Sequence, residues 1–553
     1  MNTVLRTTFP LHTMYPSLWV VGLFSLAGGT ALAQPVLPAV AQTTQTPVAA
    51  MTEPLRLRGF TVVGDNPLDD ATTTQVVAPF LRAEVSMDTL QKATAAFEAA
   101  LAANGFTLHR VVLPAQEVSD NLTLNVVRFV IGRVVVEGAG NFGEQNIRRS
   151  LPELQEGVTP SIQKMALQTA LANENPAKRM QVALRGSDDN PDLIDATVRV
   201  QASEPVTGSA SLSNTGNAAS GRDRFSLTLG HANLWGRDHQ FYVALTTSLA
   251  RLGDVRQLGL SYRLPWYARG GMLDVSLTDS TVLGQFGTFT STGAGNTLSV
   301  LYTQHLGGEG GLTRYATVGL EDKVFDATSV APLGGGAVTV LSERRRSRPL
   351  SVGLKARHQS DTAYWDAHLT LATNVSAGSG NTLTAYQSEN PLVTRTRWTA
   401  LRWGGSRVSQ IPGGWLMGVR LQGQWASTAL IAGEQFGLGG VGSLRGAGDR
   451  VLAADSGIGT GLEFTTPMLA DGLRGVAFAD AGWLRRNRVT SPAQSRTDAA
   501  VSVGVGMRYG RGPLAVSLDY ARVVNGSRTP LSLNASAPQK GEDKLHLTLS
   551  AQF

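Results

Sequence analysis

The hydrophobic rhythm of the chain changes near residue 204. Beyond that point apolar side chains recur at every second position. Phe225, Leu227 and Leu229 share a face, as do Phe241, Val243 and Leu245, then Leu258, Leu260, Tyr262 and Leu264. The pattern returns at Trp365, Ala367, Leu369 and Leu371, at Met417, Val419, Leu421 and Trp425, at Val501 to Tyr509, and at Leu514 to Tyr520. A period of two predicts strands with one apolar and one polar face. The last ten residues keep it to the end, with Leu545, Leu547, Leu549, Ala551 and Phe553 opposite His546, Thr548, Ser550 and Gln552. Such a terminal strand suits a barrel wall between lipid and a wet lumen, where it pairs with the first strand to close the sheet. Roughly 350 residues, at about 20 to 22 per strand and connection, predict an all-β transmembrane barrel of about 16 antiparallel strands over residues 204–553.

Ahead of the barrel the pattern is α+β, in two copies of one plan. Residues 54–130 read as a strand at Leu55 to Val63, a helix from Asp70, a helix from Met87 to Asn104 and strands at Thr107 to Val112 and Leu122 to Val130. In the second helix Leu90, Ala93, Phe97 and Leu101 form one stripe, and Gly105 stands where helices stop. Residues 131–203 repeat the order: a strand at Arg133 to Glu137, helices at Glu144 to Leu151 and Pro160 to Ala172, and strands at Met180 to Arg185 and Leu193 to Gln201. The amino terminus, residues 1–33, reads as a signal peptide: Arg6, an apolar run from Leu18 to Ala27, and Ala31-Leu32-Ala33 before a cleavage point. Residues 34–53, rich in Ala, Pro, Gln and Thr, read as a leader.

Composition narrows the chemistry. Charged residues are 16% of the chain and there are 61 glycines, a balance that suits lipid-facing strands. Without cysteine there is no disulfide, thiolate nucleophile or Cys-based metal site. The net charge of +6 comes with no basic patch interleaved with aromatics, so no nucleic-acid partner is expected. Gly138-Ala139-Gly140-Asn141-Phe142-Gly143 matches G-x-G-x-x-G between a strand and a helix, but no parallel βαβ series follows, and a strand-to-helix turn is the simpler reading. Gly437, Gly439 and Gly442 match it again and lead into no helix. The histidines are dispersed, and the chain holds no phosphate loop, H-E-x-x-H or G-x-S-x-G. No enzyme, cofactor or metal is expected.

The remaining informative stretch is Phe436 to Gly448, glycine-rich with the single cation Arg445. It reads either as an exposed loop or as one folded back into the pore. Glu463 shares a strand face with Gly459 and Gly461, and Asp480, in Phe478-Ala479-Asp480-Ala481-Gly482, must avoid lipid, where an acid is costly. A loop in the lumen could set Arg445 against both carboxylates.

These residues resemble those of the outer-membrane transporters of two-partner secretion, the haemolysin-activator group within the BamA-like superfamily. Gly442-Ser443-Leu444-Arg445-Gly446-Ala447 corresponds to that family's V-R-G-[YF] loop tip, with Leu444 for Val and Ala447 for the aromatic. Phe478 to Gly482 corresponds to its F-x-D-x-G strand, Asn233 to Asp238 to its N-L-x-G-x-G-D element, and Asn175-Pro176 through Arg185-Gly186 to a stretch of its second POTRA domain. The resemblance implies two periplasmic POTRA domains, an outer-membrane barrel and an Arg445–Asp480 pair inside it, with Glu463 beside them. It implies as partners a large secreted exoprotein of the adhesin or haemolysin type, outer-membrane lipid and the barrel assembly machinery. The short leader, without a helical stripe, is not expected to form that family's long plug helix. An insertase of the BamA or TamA kind is the alternative, and two POTRA units rather than several speak against it.

Overall fold

The structure is a computed structural model that describes residues 57–553, apart from 82–85, 118, 217–220, 283, 287–288, 292–293, 327, 334–335, 342 and 490–494. The expected signal peptide, the leader and the question of a plug helix lie outside the described residues. The chain forms two compact units, an amino-terminal α+β unit and a barrel.

The amino-terminal unit contains two three-stranded sheets of identical topology. In the first, Asn121–Arg128 lies between Gly59–Gly64, to which it is parallel, and His109–Val112, to which it is antiparallel. In the second, Leu193–Ala202 lies between Val130–Glu137 and Lys178–Gly186 with the same directions. Two helices stand between the first and second strands of each copy. Met87–Ala103 begins where Ser86 accepts from the Thr89 N–H, and its stripe of Leu90, Ala93, Phe97 and Leu101 is buried against the sheet. It ends in a Schellman turn: Phe106 N–H reaches Leu101 O, Gly105 N–H reaches Ala102 O, and Gly105 takes a φ of 91°. The glycine cluster Gly138 to Gly143 is a turn, with three glycines at positive φ, and a Cβ on Gly138 would stand 2.3 Å from Val200 O.

From Val206 onward the strands close on themselves. The barrel contains seventeen segments, of which Arg345–Ser347 and Pro349–Gln359 are halves of one strand along Leu312–Phe325, so sixteen antiparallel strands complete the circle. Side chains alternate as the sequence pattern predicts. On strand 12, Ser456–Thr465, the inward positions Gly457, Gly459, Gly461 and Glu463 are buried while Ile458 and Leu462 are exposed. Leu229, Leu245, Val318, Leu354, Leu371, Val505 and Leu549 belong to the same outward apolar surface, far larger than a water-soluble protein presents. Tryptophans edge it: Trp235, Trp266 and Trp415 near the short turns, Trp425 and Trp483 near the long connections.

The seam joins the last strand, Asp543–Gln552, to the first, Val206–Ser213, over the pairs Thr548–Ser213 to Gln552–Ser209. Phe553 extends the seam by one more pair, its N–H and carbonyl bonding Gly208 at 2.9 and 2.7 Å. Its ring covers Gly208 so closely that a Cβ there would lie 2.2 Å from it. Gly208 was not singled out by the alternation, which sees only one strand at a time. Phe553→Asp and Gly208→Val are therefore expected to lower the amount of folded barrel, the first through lost lipid contact and the second by displacing the ring. Heat-modifiable mobility of the outer-membrane species measures this, and normal levels of both variants would rule out the seam argument.

Candidate functional site

Strand 11, Trp415–Ala426, and strand 12 are joined by the longest connection, residues 427–455, and this connection turns into the barrel. Phe436–Leu438 and Leu452–Ala454 pair as a small hairpin, and the tip between them descends along the inner wall. At the tip Ser443 ties the turn, its hydroxyl accepting from Gly439 N–H at 2.7 Å and donating to Gly439 O at 2.9 Å. Gly442 lies in this turn and takes no part in the contacts that follow. Leu444 is buried with Leu438, Ala447, Leu452, Leu484 and Ala500, so the small Ala447 fits a closed apolar cluster.

Arg445 is nearly inaccessible and faces two carboxylates. Its Nε and one terminal nitrogen hold Asp480 in a two-pronged pair at 2.8 and 2.9 Å, and its other terminal nitrogen meets Glu463 at 2.6 Å. Its backbone N–H also reaches Asp480, at 3.1 Å. The planar fork of arginine matches a carboxylate in a way lysine does not. The guanidinium stacks on Phe478, 3.4 Å from the ring centroid. Further charges join the cluster: Arg420 lies 3.6 Å from Asp480, and Arg508 lies 3.9 Å from Glu463 and 2.8 Å from Asp519. Three guanidinium groups thus face three carboxylates, a neutral set that avoids an unpaired buried charge.

The wall is shaped for this loop. Phe478, Asp480 and Gly482 occupy alternate, inward positions of strand 13, Leu473–Arg485. Phe478 supplies the stacking platform, Asp480 the clamp and Gly482 clearance, since a Cβ on Gly482 would stand 2.3 Å from Leu438. Gly446 approaches strands 14 and 15, Thr497–Arg511 and Leu514–Asn525; a Cβ there would be 2.7 Å from Ser502 and 2.8 Å from Val523. Gly446 N–H donates to Ser502 Oγ at 3.2 Å, and His546 Nε2 donates to Arg445 O at 2.6 Å. One loop tip therefore touches residues of strands 11 through 16.

A second anchor escaped the sequence reading. Glu434, in the 3-10 turn Ala432–Glu434 on the descending limb, is buried; Arg402 of strand 10, Thr399–Ile411, holds it at 2.8 Å and Lys323 of strand 7, Leu312–Phe325, at 3.4 Å. Gln424 Nε2 donates to its carbonyl at 3.0 Å. Around it Phe325, Tyr386, Trp398, Leu430 and Ile431 form a core, to which the short helix Leu383–Glu389 of another long connection contributes. The available signal was an acid in an almost uncharged loop, two residues before the stretch that drew attention. Arg450, five residues beyond Arg445, is not a simple surface charge either. It sits at a φ of 49° and donates to the carbonyls of Ala432 and Gln435. Among the described residues no group of three or more His, Asp or Glu is arranged to hold a metal.

Comparisons with known proteins agree with this architecture. The family described as haemolysin secretion/activation protein ShlB/FhaC/HecB matches residues 194–509, more than half of the chain, and the ShlB-type POTRA domain matches residues 55–128. A search of curated proteins returned no match. Among solved structures, CdiB from Escherichia coli is similar at 19% identity with a TM-score of 0.70, covering 92% of this chain and 93% of its own. CdiB from Acinetobacter baumannii is similar at 16% identity with a TM-score of 0.65, covering 94% of this chain and 95% of its own. With POTRA-type sheets preceding a closed sixteen-strand barrel, the chain belongs to the haemolysin secretion/activation family, the non-enzymatic outer-membrane transporters of two-partner secretion.

Proposed function

We propose that the amino-terminal sheets lie in the periplasm, capture an unfolded exoprotein of the adhesin or haemolysin type there, and pass it through a barrel whose inner loop is held by Arg445. The long connections then face the cell exterior. Capture is supported by the edge strand Lys178–Gly186, which pairs on one side only within its sheet and exposes Gln181, Ala183 and Arg185. An extended segment can add to such an edge through main-chain hydrogen bonds, which tolerate many sequences. Export needs no nucleotide in this account, because folding of the exoprotein outside opposes its return.

The observation that carries the reading is the Arg445 clamp. A buried arginine bound to two wall carboxylates holds the loop inside the conduit in one arrangement. Removing one partner of a buried pair costs about 3–5 kcal/mol, since the other charge is left uncompensated. The loop position is thus strongly defined, yet the bonds that define it are exchangeable ionic ones.

Arg445→Ala is expected to abolish most export while the protein stays in the outer membrane. Lys540→Ala, at an exposed cation on another long connection, is expected to leave export near normal. Exoprotein in the medium, at matched transporter abundance, is the readout, and equal export from both variants would defeat the clamp. Glu434→Gln should lower export less than Arg445→Ala, because the amide keeps a hydrogen bond to Arg402 and loses only charge. An effect as large as that of Arg445→Ala would show the two anchors to be of equal weight. Deleting residues 54–203 is expected to leave a barrel that inserts but exports nothing, and normal export from it would remove the capture step.

A further inference from the structure

Two basic runs far apart in sequence meet at the barrel rim. Thr394-Arg395-Thr396-Arg397 precedes strand 10, Thr399–Ile411, and Arg485-Arg486-Asn487-Arg488 closes strand 13 and enters the next connection. They come together on the first residues of the long loop: Asn487 Nδ2 donates to the carbonyls of Ala426 and Thr428 at 3.0 and 2.7 Å, and Arg395 approaches Ser427 O at 3.5 Å. Between them lies a cavity of about 490 Å³, lined by Thr394, Arg395, Ser427, Thr428, Asn487 and Arg488. Its lining is chiefly polar and includes no acid.

The neighbouring charges do not neutralise it. Asp455 accepts from the N–H groups of Leu430 and Asn487 at 2.8 and 2.7 Å, committed to the loop backbone. Arg486 and Arg496 serve as braces, donating to the carbonyls of Ser495 and Asn487 at 3.0 and 3.2 Å. Arg395 and Arg488 are exposed and both line the cavity, together with Thr394, Ser427 and Thr428. Two guanidinium groups and hydroxyl donors lining one cavity suit a tetrahedral oxyanion, which accepts from several directions at once. Height on the barrel selects the source of that oxyanion. Trp425 and Trp483, both outward and exposed, precede Ser427 and Arg485 by two residues each, so the cavity opens directly above the aromatic belt. That is the level of lipid headgroups.

We propose that this cavity binds the phosphate of a phosphorylated glycolipid headgroup in the outer leaflet, fixing one lipid beside the loop that enters the lumen. The assignment to the outer leaflet rests on the orientation proposed above; binding itself does not, so it is read without export. Full-length transporter and the Arg395→Gln/Arg488→Gln double variant would be compared in detergent by native mass spectrometry. The probes are bisphosphorylated lipid A, the same lipid dephosphorylated, and inorganic phosphate, with heat-modifiable mobility confirming that the variant is folded. Wild-type protein is expected to retain one bisphosphorylated lipid, the variant to bind it at least about tenfold more weakly, and the dephosphorylated lipid to bind both weakly. Inorganic phosphate at millimolar concentration is expected not to displace the lipid. Equal retention by the folded variant, or tight binding of the dephosphorylated lipid, would overturn the site. Displacement by inorganic phosphate would overturn the lipid as its ligand.

Discussion

The bidentate bond between Arg445 and Asp480 is the constraint around which the barrel interior is arranged. A charge of either sign alone at this depth would be prohibitive, so the two are stable only together, and only with their remaining hydrogen-bonding positions filled. Glu463, the Arg445 backbone, the Phe478 face and the His546 bond to Arg445 O fill them. Because the arginine rides on a loop and the acids on the wall, electrostatic satisfaction and loop position are one variable. Moving the loop means breaking the set, unless water or a passing chain supplies new partners.

Glycine makes that approach possible. Inward-facing Gly457, Gly459 and Gly461 on strand 12 and Gly482 on strand 13 leave a bare strip of wall, onto which Phe436 and Leu438 of the loop hairpin pack. A Cβ at Gly457, Gly459 or Gly482 would meet Phe436 or Leu438 at 2.3 to 2.8 Å and push the hairpin off the wall. Glycine usually weakens a strand through entropy. Here that loss is offset by neighbours on both sides in a closed sheet and by the apolar contacts of Leu438.

Much of this was legible in the chain because a strand's period is two. Alternation alone puts Phe478, Asp480 and Gly482 on one face and Glu463 with Gly459 and Gly461 on another, so the acids of the site could be found before the loop was placed. The two α+β copies were legible for a similar reason: stripes such as Leu90-Ala93-Phe97-Leu101 and stop signals such as Gly105 are local. What could not be read depends on which strands become neighbours. The partners of Glu434, Lys323 and Arg402, lie more than a hundred and about thirty residues away, on strands 7 and 10, and only barrel curvature brings them to one loop. Gly208 acquires meaning only when the last residue folds over it. Nothing local reveals the positive φ of Arg450 or the carbonyls it holds.

Both anchors on the loop bear on its movement. Glu434 is fixed to strands 7 and 10 and embedded in an apolar core with Trp398, Tyr386, Leu430 and Ile431, so releasing it would expose hydrophobic surface as well as charge. Arg445 is held by wall carboxylates and the face of Phe478, and the adjacent Leu444 is buried in an apolar cluster of its own, so releasing the tip would also expose hydrophobic surface with charge. Under the proposed function, a polypeptide in transit would carry amides and carboxylates able to replace the polar contacts of the tip but not its apolar ones. Movement that frees only one anchor would therefore break one set of ionic and apolar contacts while the other still holds the loop.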